Sequence, residues 1–333
     1  MSTKDKLGRR MKQYYENASK TRLIRRTPVA IRIDGKAFHT FTKGFTRPYD
    51  ATLARSMWDT MQYLCRNIQG CVLGYQQSDE ITLILVDYKT LESQAWFDYK
   101  VQKLCSVSAS MATMAFNKAF ERNTTLKIDN DFGTKGDAVI PYAHLNALRK
   151  GAVFDSRAFN IPIEEVTNLI YWRQLDAIRN SIQMNGQYYF SPKELHGKNN
   201  EQIKEMLKEK GIDWDCLPSY EQRGVCCIDV DGVWCIDSTI PLFKDEGREY
   251  IEKLIHFKED EQLVSEKYQF PEITPKMHRK MAIWYRTHNE GKCAKGNHGA
   301  IGGNVKFEIL PTSIGDFITV KCSCGCTLDF DEV

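Results

Sequence analysis

The sequence VAIRIDG occupies residues 29–35 and is the stretch from which the fold can be inferred. Its β-branched residues predict a strand, and the Asp-Gly pair predicts where that strand ends. Two further apolar runs, residues 71–75 and 81–86, are separated by Gln76-Gln77-Ser78-Asp79-Glu80. This pattern predicts a hairpin with Asp79 and Glu80 at or near its turn.

Helical spacing of apolar residues predicts long helices over residues 50–68, with Asp50 as the N-terminal cap, over 92–120 and over 163–190. The last helix carries two lines of side chains, an apolar line of Tyr171, Leu175, Ile178 and Ile182 and a polar line of Arg173, Asp176, Asn180 and Gln183. Strand, helix, hairpin, helix and a further extended piece at 152–161 are typical of an α+β, ferredoxin-like polymerase palm. Such a palm is an antiparallel sheet with helices on one face.

The chain of 333 residues has room for two or three domains at roughly 100–200 residues each. We predict a palm domain over residues 1–240, which begins with a basic helix at 5–20 and ends with a second hairpin around Asp229-Val230-Asp231-Gly232. Residues 241–275 are charge-rich and predict a helical connector, and residues 276–333 predict a small zinc-ribbon-like unit.

Composition excludes some classes of protein. Hydrophobic residues make up 42% of the chain, and no apolar run approaches the ~18 residues of a membrane span. The first twelve residues, MSTKDKLGRRMK, are charged where a signal peptide is apolar. We therefore expect a cytoplasmic protein with no membrane partner.

Charge is distributed unevenly. Residues 1–36 contain 11 Lys and Arg against 3 Asp and Glu, whereas the rest of the chain contains 35 against 40. A basic N-terminal arm on a mildly acidic body indicates an anionic partner, of which nucleic acid is the commonest. The alternative is a solvated amphipathic helix with no partner.

Two carboxylates are expected to meet at one edge of the predicted sheet. In a palm the first strand lies beside the hairpin, which would bring Asp34 close to Asp79. Hard carboxylate oxygens are the ligands that Mg²⁺ prefers, with water and substrate phosphates completing its shell. The alternative is that both residues simply occupy turns, where Asp is common.

Several motifs occur in the order found in the tRNA-histidine guanylyltransferase family, and the chain resembles that family over roughly residues 5–230. The motifs are RIDGKAFHTF (32–41), FTRPYD (45–50), GYQQSDE (74–80), WF (96–97), FDSR (154–157), WRQLD (172–176), GKN (197–199) and YEQRG (220–224). Members of that family add nucleotides to RNA 5′ ends in the 3′→5′ direction.

The resemblance implies roles for individual residues. Asp34, the Gly35 carbonyl and Asp79 would hold two Mg²⁺ ions, with Glu80 beside them as a further catalytic residue. The implied nucleotide-binding residues are Asp34, Gly35, Lys36, Ala37, Phe38, His39, Arg47, Asp50, Ser78, Asp79, Lys100 and Lys103. The implied RNA-binding residues are Arg157, Arg173, Asn180, Lys198 and Arg223.

One departure points to a branch of the family. The eukaryotic enzymes have His-Ile-Asn-Asn after the WRQ motif, where this chain has Ile178-Arg179-Asn180-Ser181. The sequences LGRRMK (7–12) and GKAFHTF (35–41) resemble those of the prokaryotic guanylyltransferase-like branch. Members of that branch act as 3′→5′ polymerases that repair tRNA 5′ ends. The resemblance implies tRNA, ATP and GTP or another nucleoside triphosphate as substrates, and a homo-oligomer, since members tend to be tetramers.

Two alternatives stay open on the sequence alone. Another palm-domain nucleotidyltransferase or a cyclase would share the metals without the tRNA surface. A non-catalytic, zinc-containing RNA-binding protein would use the basic arm and the C-terminal unit.

The zinc prediction rests on the C-terminal cysteines. Cys293 and His298 are followed by Cys322-Ser323-Cys324-Gly325-Cys326. Two pairs of soft ligands separated by a hairpin-sized insert suit tetrahedral Zn²⁺. We predict Cys293, His298, Cys322 and Cys324 as ligands, with Cys326 as an alternative to one of the last pair.

Overall fold

The computed structural model describes residues 3–135, 142–257, 275–290, 305–312, 315–322 and 325–330. The chain divides into two compact units, Met1–Phe257 and Lys258–Val333. The predicted connector, residues 241–275, falls partly outside the described residues. Its residues 241–257 belong to the first unit, and Pro275 begins a helix of the second.

The first unit is built on a six-stranded antiparallel sheet in the order β4-β1-β3-β2-β5-β6. Both predicted hairpins and the extended piece at 152–161 are confirmed, and the sheet agrees with the predicted palm. The strands are β1 Val29–Gly35, β2 Cys71–Gln77, β3 Glu80–Leu85, β4 Phe154–Asn160, β5 Val225–Val230 and β6 Val233–Asp237.

The described helices of this unit are α1 Thr3–Met11, α2 Phe38–Phe41, α3 Ala51–Asn67, α4 Val101–Lys135, α5 Tyr142–Lys150, α6 Ile163–Tyr189, α7 Pro192–Leu195, α8 Asn200–Glu209, α9 Ser219–Arg223 and α10 Glu249–Ile255. A π-helical turn, Lys12–Glu16, continues α1, and single 3-10 turns cover Trp96–Tyr99, Trp214–Cys216 and Asp245–Arg248. The helix predicted from residue 92 begins at Val101, because Phe97, Asp98 and Tyr99 all have positive φ and a helix cannot run through them.

Helices cover both faces of the sheet, so the prediction of helices on one face is wrong. Ile31 and Leu83 pack with α3 and α4, whereas their neighbours Ala30 and Ile84 pack on the other side with α6 and α10. The reason is that β1 begins with an unbroken apolar run, residues 29–31, and β3 ends with one, residues 83–85. Side chains alternate across a strand, so such runs place apolar residues on both faces and both must be covered.

Helix α6 is rotated relative to the predicted pattern. Arg173, on the predicted polar line, is 7% exposed, while Leu175, on the apolar line, is 44% exposed. Buried hydrogen bonds fix this rotation. The Gln174 side chain donates to the carbonyl of Pro241 at 2.8 Å and accepts from the N–H of Phe243 at 2.9 Å.

The second unit contains helix α11, Pro275–Glu290, and a three-stranded antiparallel sheet of β7 Val305–Thr312, β8 Gly315–Cys322 and β9 Thr327–Phe330. A small core of Ile318, Val320 and Phe330 packs with Met277 and Met281 of α11, so a helix covers the sheet. None of the helices in the described parts of the chain is long and apolar enough to cross a membrane.

Candidate active site

Four carboxylates converge at one end of the sheet. Asp34, near the end of β1, is paired in register with Glu80 of β3 on one side and with Asp155 of β4 on the other. The N–H of Gly35 donates to the carbonyl of Asp79 at 3.2 Å, which ties the end of β1 to the hairpin turn. The predicted meeting of the Asp34 strand and the Asp79 turn is therefore what the backbone shows. Asp155 lies in the FDSR motif, but its place beside Asp34 depends on the β1–β4 register and was not predicted.

The electrostatics of this cluster favour binding of a cation. Burial raises the pKa of Asp34, and the nearby charge of Asp155 raises it further. Burial also raises the pKa of Asp79, against a lowering hydrogen bond from Ser78, with smaller contributions from Asp34 and Glu80. Crowded carboxylates with raised pKa values gain stabilisation from a counter-charge.

The donor set fits Mg²⁺. Asp34 and Asp79 supply carboxylate oxygens and Gly35 supplies a carbonyl oxygen, which are hard ligands. Within the described residues, no group of three or more His, Cys, Asp or Glu is placed to hold a metal. Mg²⁺ is commonly held by one or two carboxylates plus substrate phosphates, so a carboxylate pair is sufficient protein ligation.

Gly35 is required by packing at this point. A Cβ atom built on Gly35 would lie 2.1 Å from Cδ2 of Phe38. Phe38 itself is 5% exposed, and its ring packs at tilted or edge-to-face angles against Phe41, Phe116 and Phe154. The predicted nucleotide-binding loop therefore exposes Lys36, Ala37 and His39, while the ring of Phe38 belongs to the core.

The hairpin turn is held by its own side chains. Ser78 has φ +51° and its hydroxyl donates to Oδ1 of Asp79 at 2.9 Å. The side chain of Gln76 donates to the carbonyl of Ser78 at 2.7 Å. These bonds fix the orientation of the Asp79 carboxylate before any ligand arrives.

A cavity of about 150 Å³ opens beside Ser78. Three aromatic rings form part of its wall, with centroid distances of 5.6 Å for Tyr49–Tyr220 and 5.5 Å for Trp58–Tyr220. Amide side chains also line it, namely those of Gln76, Gln77, Asn180, Asn185 and Gln222. Aromatic walls with amide donors and acceptors suit a flat, polar heterocycle.

Asp50 lines this cavity, but its carboxylate is already bonded. It accepts from the N–H groups of Leu53 at 2.9 Å and Thr46 at 3.1 Å, and Nε2 of His144 lies 3.1 Å from it. Burial would raise the pKa of Asp50, but the bonds from His144 and Leu53 outweigh burial and lower it. Asp50 is thus the predicted cap of α3. Arg47, by contrast, is exposed.

One of the four carboxylates, that of Glu80, forms a buried ion pair with Arg173. Arg173 donates to Glu80 through Nε at 2.7 Å and Nη2 at 2.9 Å, and Nη2 also meets Asp176 at 2.9 Å. Arg173 was predicted to bind RNA, but its guanidinium is buried and paired with two carboxylates of the same chain. The pairing was missed because the two partners lie 93 residues apart in the chain.

Lys100 and Lys103 lie away from the carboxylates. They line a second, open cavity of about 700 Å³ with Arg25 and Gln69. The backbone of Lys100 bridges to Arg22, which precedes β1, whereas Asp34 lies at the other end of that strand. The structure does not bring these two lysines to the Asp34 site of the same subunit.

The other predicted RNA-binding residues are spread around the unit. Arg157 is exposed, with Nη2 at 3.6 Å from Asp155, and Asn180 is exposed at the rim of the 150 Å³ cavity. Lys198 is exposed between α7 and α8. Arg223 is half-buried, and its Nε is a buried atom with no hydrogen-bond partner among the described residues.

Most of the predicted zinc site cannot be placed. Cys293, His298 and Cys324 lie outside the described residues. Cys322 and Cys326 flank the turn between β8 and β9, where the N–H of Cys322 donates to the carbonyl of Cys326 at 2.9 Å. The zinc ligands stay a prediction.

Comparison with known proteins identifies close relatives. The family model "Thg1: tRNAHis guanylyltransferase" matches residues 8–162. A bacterial tRNA(His) guanylyltransferase (Thg1)-like protein, solved in complex with ATP, is 39% identical with a TM-score of 0.63, covering 75% of this chain and 99% of that one. A structure of such a protein in complex with GTP is 36% identical with a TM-score of 0.60, covering 76% and 100%. The tRNA(His) guanylyltransferase of Schizosaccharomyces pombe is 29% identical over 164 residues, 48% of this chain and 53% of that protein.

Proposed function

Because the chain belongs to the tRNA(His) guanylyltransferase family and is therefore a nucleotidyltransferase, we propose that it adds nucleotides to the 5′ end of tRNA in the 3′→5′ direction. One observation carries the proposal. The N–H of Gly35, the residue after Asp34, donates to the carbonyl of Asp79. The aromatic cavity beside Ser78 lies next to this point. The sites that we propose for phosphate chemistry and for nucleotide binding are therefore adjacent.

The proposed reaction has two transfers. A 5′-monophosphate of the RNA attacks the α-phosphate of ATP, forming a 5′–5′ adenylate and releasing pyrophosphate. The 3′-hydroxyl of a bound nucleoside triphosphate then attacks the RNA 5′ phosphate, forming the new phosphodiester and releasing AMP. An RNA with a 5′-triphosphate skips the first transfer and releases pyrophosphate in the second.

The residues of the site would act mainly by positioning charge. Asp34, Asp79 and the Gly35 carbonyl would hold two Mg²⁺ ions, which when bound neutralise phosphate charge and favour ionisation of an attacking hydroxyl. Glu80, fixed by Arg173, keeps its carboxylate at the base of the same cluster. Lys100 and Lys103 would not belong to the nucleotide site of the same subunit, because they line a different cavity.

The cavity beside Ser78 is the proposed site for the base of a nucleoside triphosphate. ATP and GTP are the ligands named for the two bacterial relatives. The rings of Tyr49, Trp58 and Tyr220 offer stacking surfaces, and the amide oxygens around them offer hydrogen-bond acceptors to a base. The exposed Lys36 and Arg47 would meet phosphates.

We propose template-directed repair of shortened tRNA 5′ ends as the main activity. Ile178-Arg179-Asn180-Ser181 replaces the His-Ile-Asn-Asn stretch of the eukaryotic enzymes, which argues against strict recognition of histidine tRNA. The test is to incubate the protein with a histidine tRNA and a second tRNA, each complete or lacking its first nucleotide. ATP is present throughout for activation, each other nucleoside triphosphate is added in turn, and the products are sequenced. Filling of the missing nucleotide by the one complementary to the acceptor strand is expected. Addition of an untemplated G to histidine tRNA alone would contradict this choice.

Three further features remain proposals. A zinc ion held by the C-terminal cysteines would stabilise the second unit, a homo-oligomer is proposed from the family resemblance, and a cytoplasmic location from the sequence. Size-exclusion chromatography with light scattering tests the second of these directly.

A further inference from the structure

Trp172, in α6, presents a large aromatic surface to solvent. Its side chain is 53% exposed. The guanidinium carbon of Arg173 lies 4.6 Å from the centre of its ring and that of Arg32 lies 5.8 Å away. Two cations within ~6 Å of an indole are attracted to its π face and restrict its orientation.

The ring lies one side chain away from the carboxylate cluster. Both arginines that approach it also approach Glu80, Arg173 at 2.7 Å and Arg32 at 3.9 Å. Glu80 is in turn paired in register with Asp34. Trp172 is therefore next to the place where phosphate chemistry is proposed.

A cationic strip adjoins the ring. Arg157 of β4 is paired in register with Arg32 of β1, and its side chain is 54% exposed. Arg32 has a buried Nε with no hydrogen-bond partner among the described residues. Proteins that bind single-stranded nucleic acids combine a stacking surface with neighbouring cations that bind phosphates. The exposed ring of Trp172 beside the guanidiniums of Arg157 and Arg32 matches this combination.

Exposed apolar residues are common on proteins and need no function. Tyr188 shows this on the same helix, because it is 54% exposed and stacks edge-on against Tyr189. Trp172 differs from Tyr188 in having two guanidiniums over its ring and in adjoining the carboxylates.

We propose that Trp172 is a stacking platform for a nucleobase at the reacting end of the RNA, with Arg157 and Arg32 placed for the neighbouring phosphates. This assignment rests on the proposed function. The RNA is favoured over the nucleoside triphosphate because Trp172 does not line the cavity beside Ser78. A triphosphate base in that cavity and an RNA base on Trp172 would then lie on two sides of the carboxylates.

The test measures binding without chemistry. Fluorescence anisotropy at one fixed salt concentration gives the affinity of the full chain for a labelled, 5′-phosphorylated tRNA lacking its first nucleotide, with no nucleoside triphosphate present. Trp172→Ala and Trp172→Leu should each weaken binding about 5–150-fold, the range that loss of a base–aromatic stack gives. Trp172→Phe should lose less, and Tyr188→Leu should stay within about twofold of the wild type. ATP affinity should be unchanged in all four variants.

The variants separate stacking from packing. Trp172→Leu keeps apolar bulk, so RNA binding equal to the wild type in that variant would overturn the proposal, as would a wild-type protein that does not bind the RNA. Loss of ATP affinity alone would assign the ring to the nucleotide and overturn the RNA assignment. A thermal unfolding curve identifies any variant that fails to fold, in which case Trp172→Phe and Trp172→Leu decide.

Transfer by the wild type is measured in parallel. RNA binding that depends on Trp172 without any transfer would refute the proposed function and leave the platform standing.

Discussion

At the residue scale, the features that equip Asp34 for cation binding also make it unfavourable for stability. Its pKa is raised by burial and by Asp155, so the folded protein disfavours the ionised form. An acid whose folded pKa lies above its unfolded pKa destabilises the fold at high pH, and this cost disappears as the pH falls through the folded pKa.

Asp34→Asn should therefore raise the melting temperature at pH 7 by about 1–4 °C, the effect of removing one unfavourable charge from a protein of this size. The gain should shrink as the pH is lowered. Mg²⁺ should raise the melting temperature of the wild type more than that of the variant, since it binds the folded state. Scanning calorimetry at several pH values, with and without Mg²⁺, provides the measurement. A variant that melts lower at pH 7 and responds to Mg²⁺ like the wild type would contradict this account.

Gly35→Ala should destabilise the first unit by about 1–3 kcal/mol, as overpacking does. The new methyl group would overlap the ring of Phe38, which is fixed by three other rings. Gly8→Ala is the matched control, because a Cβ at Gly8 in α1 meets nothing within 4 Å. Denaturant unfolding of both variants distinguishes them, and an equal stability of Gly35→Ala and the wild type would show that the loop moves freely.

Sequence reasoning at this scale found the acids that lie in short motifs and missed partners remote in the chain. The Asp34 strand and the Asp79 turn were predictable because a palm places its first strand beside the hairpin. The bond between Asp50 and His144 could not be predicted, because 94 residues separate the two in the chain. Nothing in the local pattern around either residue indicates the other.

At the element scale, α6 links the core to the site. Its Val166 and Ile170 pack under the sheet, while Arg173 on the same helix holds Glu80. The hydrophobic pattern of α6 is misleading because a paired arginine occupies a buried position that apolar residues usually take. Burial of Arg173 is possible because two carboxylates share its charge.

Arg173→Leu should destabilise the first unit by about 3–5 kcal/mol, because it leaves the Glu80 carboxylate buried without its partner. Arg179→Ala is the control on the same helix. Arg179 also pairs with Asp176, but its side chain is 63% exposed, so the loss should stay below about 1 kcal/mol. Combining Arg173→Leu with Glu80→Leu should recover part of the stability. Additive losses in that double variant would show that the pair is not coupled.

At the scale of the whole molecule, sequence reasoning misjudged how the sheet is covered. The apolar runs of β1 and β3 predict two buried faces, and the predicted palm left one face open. Residues 249–255, which lie in the predicted connector, form α10 and bury Ile251 and Ile255 against the sheet. The sequence predicts a helix here, but the charged residues between Ile251 and Ile255 do not indicate that one face of this helix packs on the sheet.

The second unit should contain zinc. Its described core is small, and units of this size usually need a metal or another staple. Elemental analysis of the full chain should find about one equivalent of tightly bound zinc, and Cys322→Ser should lose it. Cys235→Ser, at an exposed cysteine of β6, is the control and should keep it. Less than about half an equivalent in the wild type would defeat the zinc prediction.

The most direct test of the central claim compares two acidic hairpin turns. Asp79 and Asp231 each lie in a two-residue turn of the same sheet, but only Asp79 is placed beside Asp34. Mg²⁺-dependent transfer of label from an α-labelled nucleoside triphosphate to a tRNA lacking its first nucleotide should fall about 100-fold or more in Asp79→Asn. It should stay near the wild-type rate in Asp231→Asn. An Asp79→Asn variant that folds and transfers label within about threefold of the wild type, with the same Mg²⁺ dependence, would contradict the account.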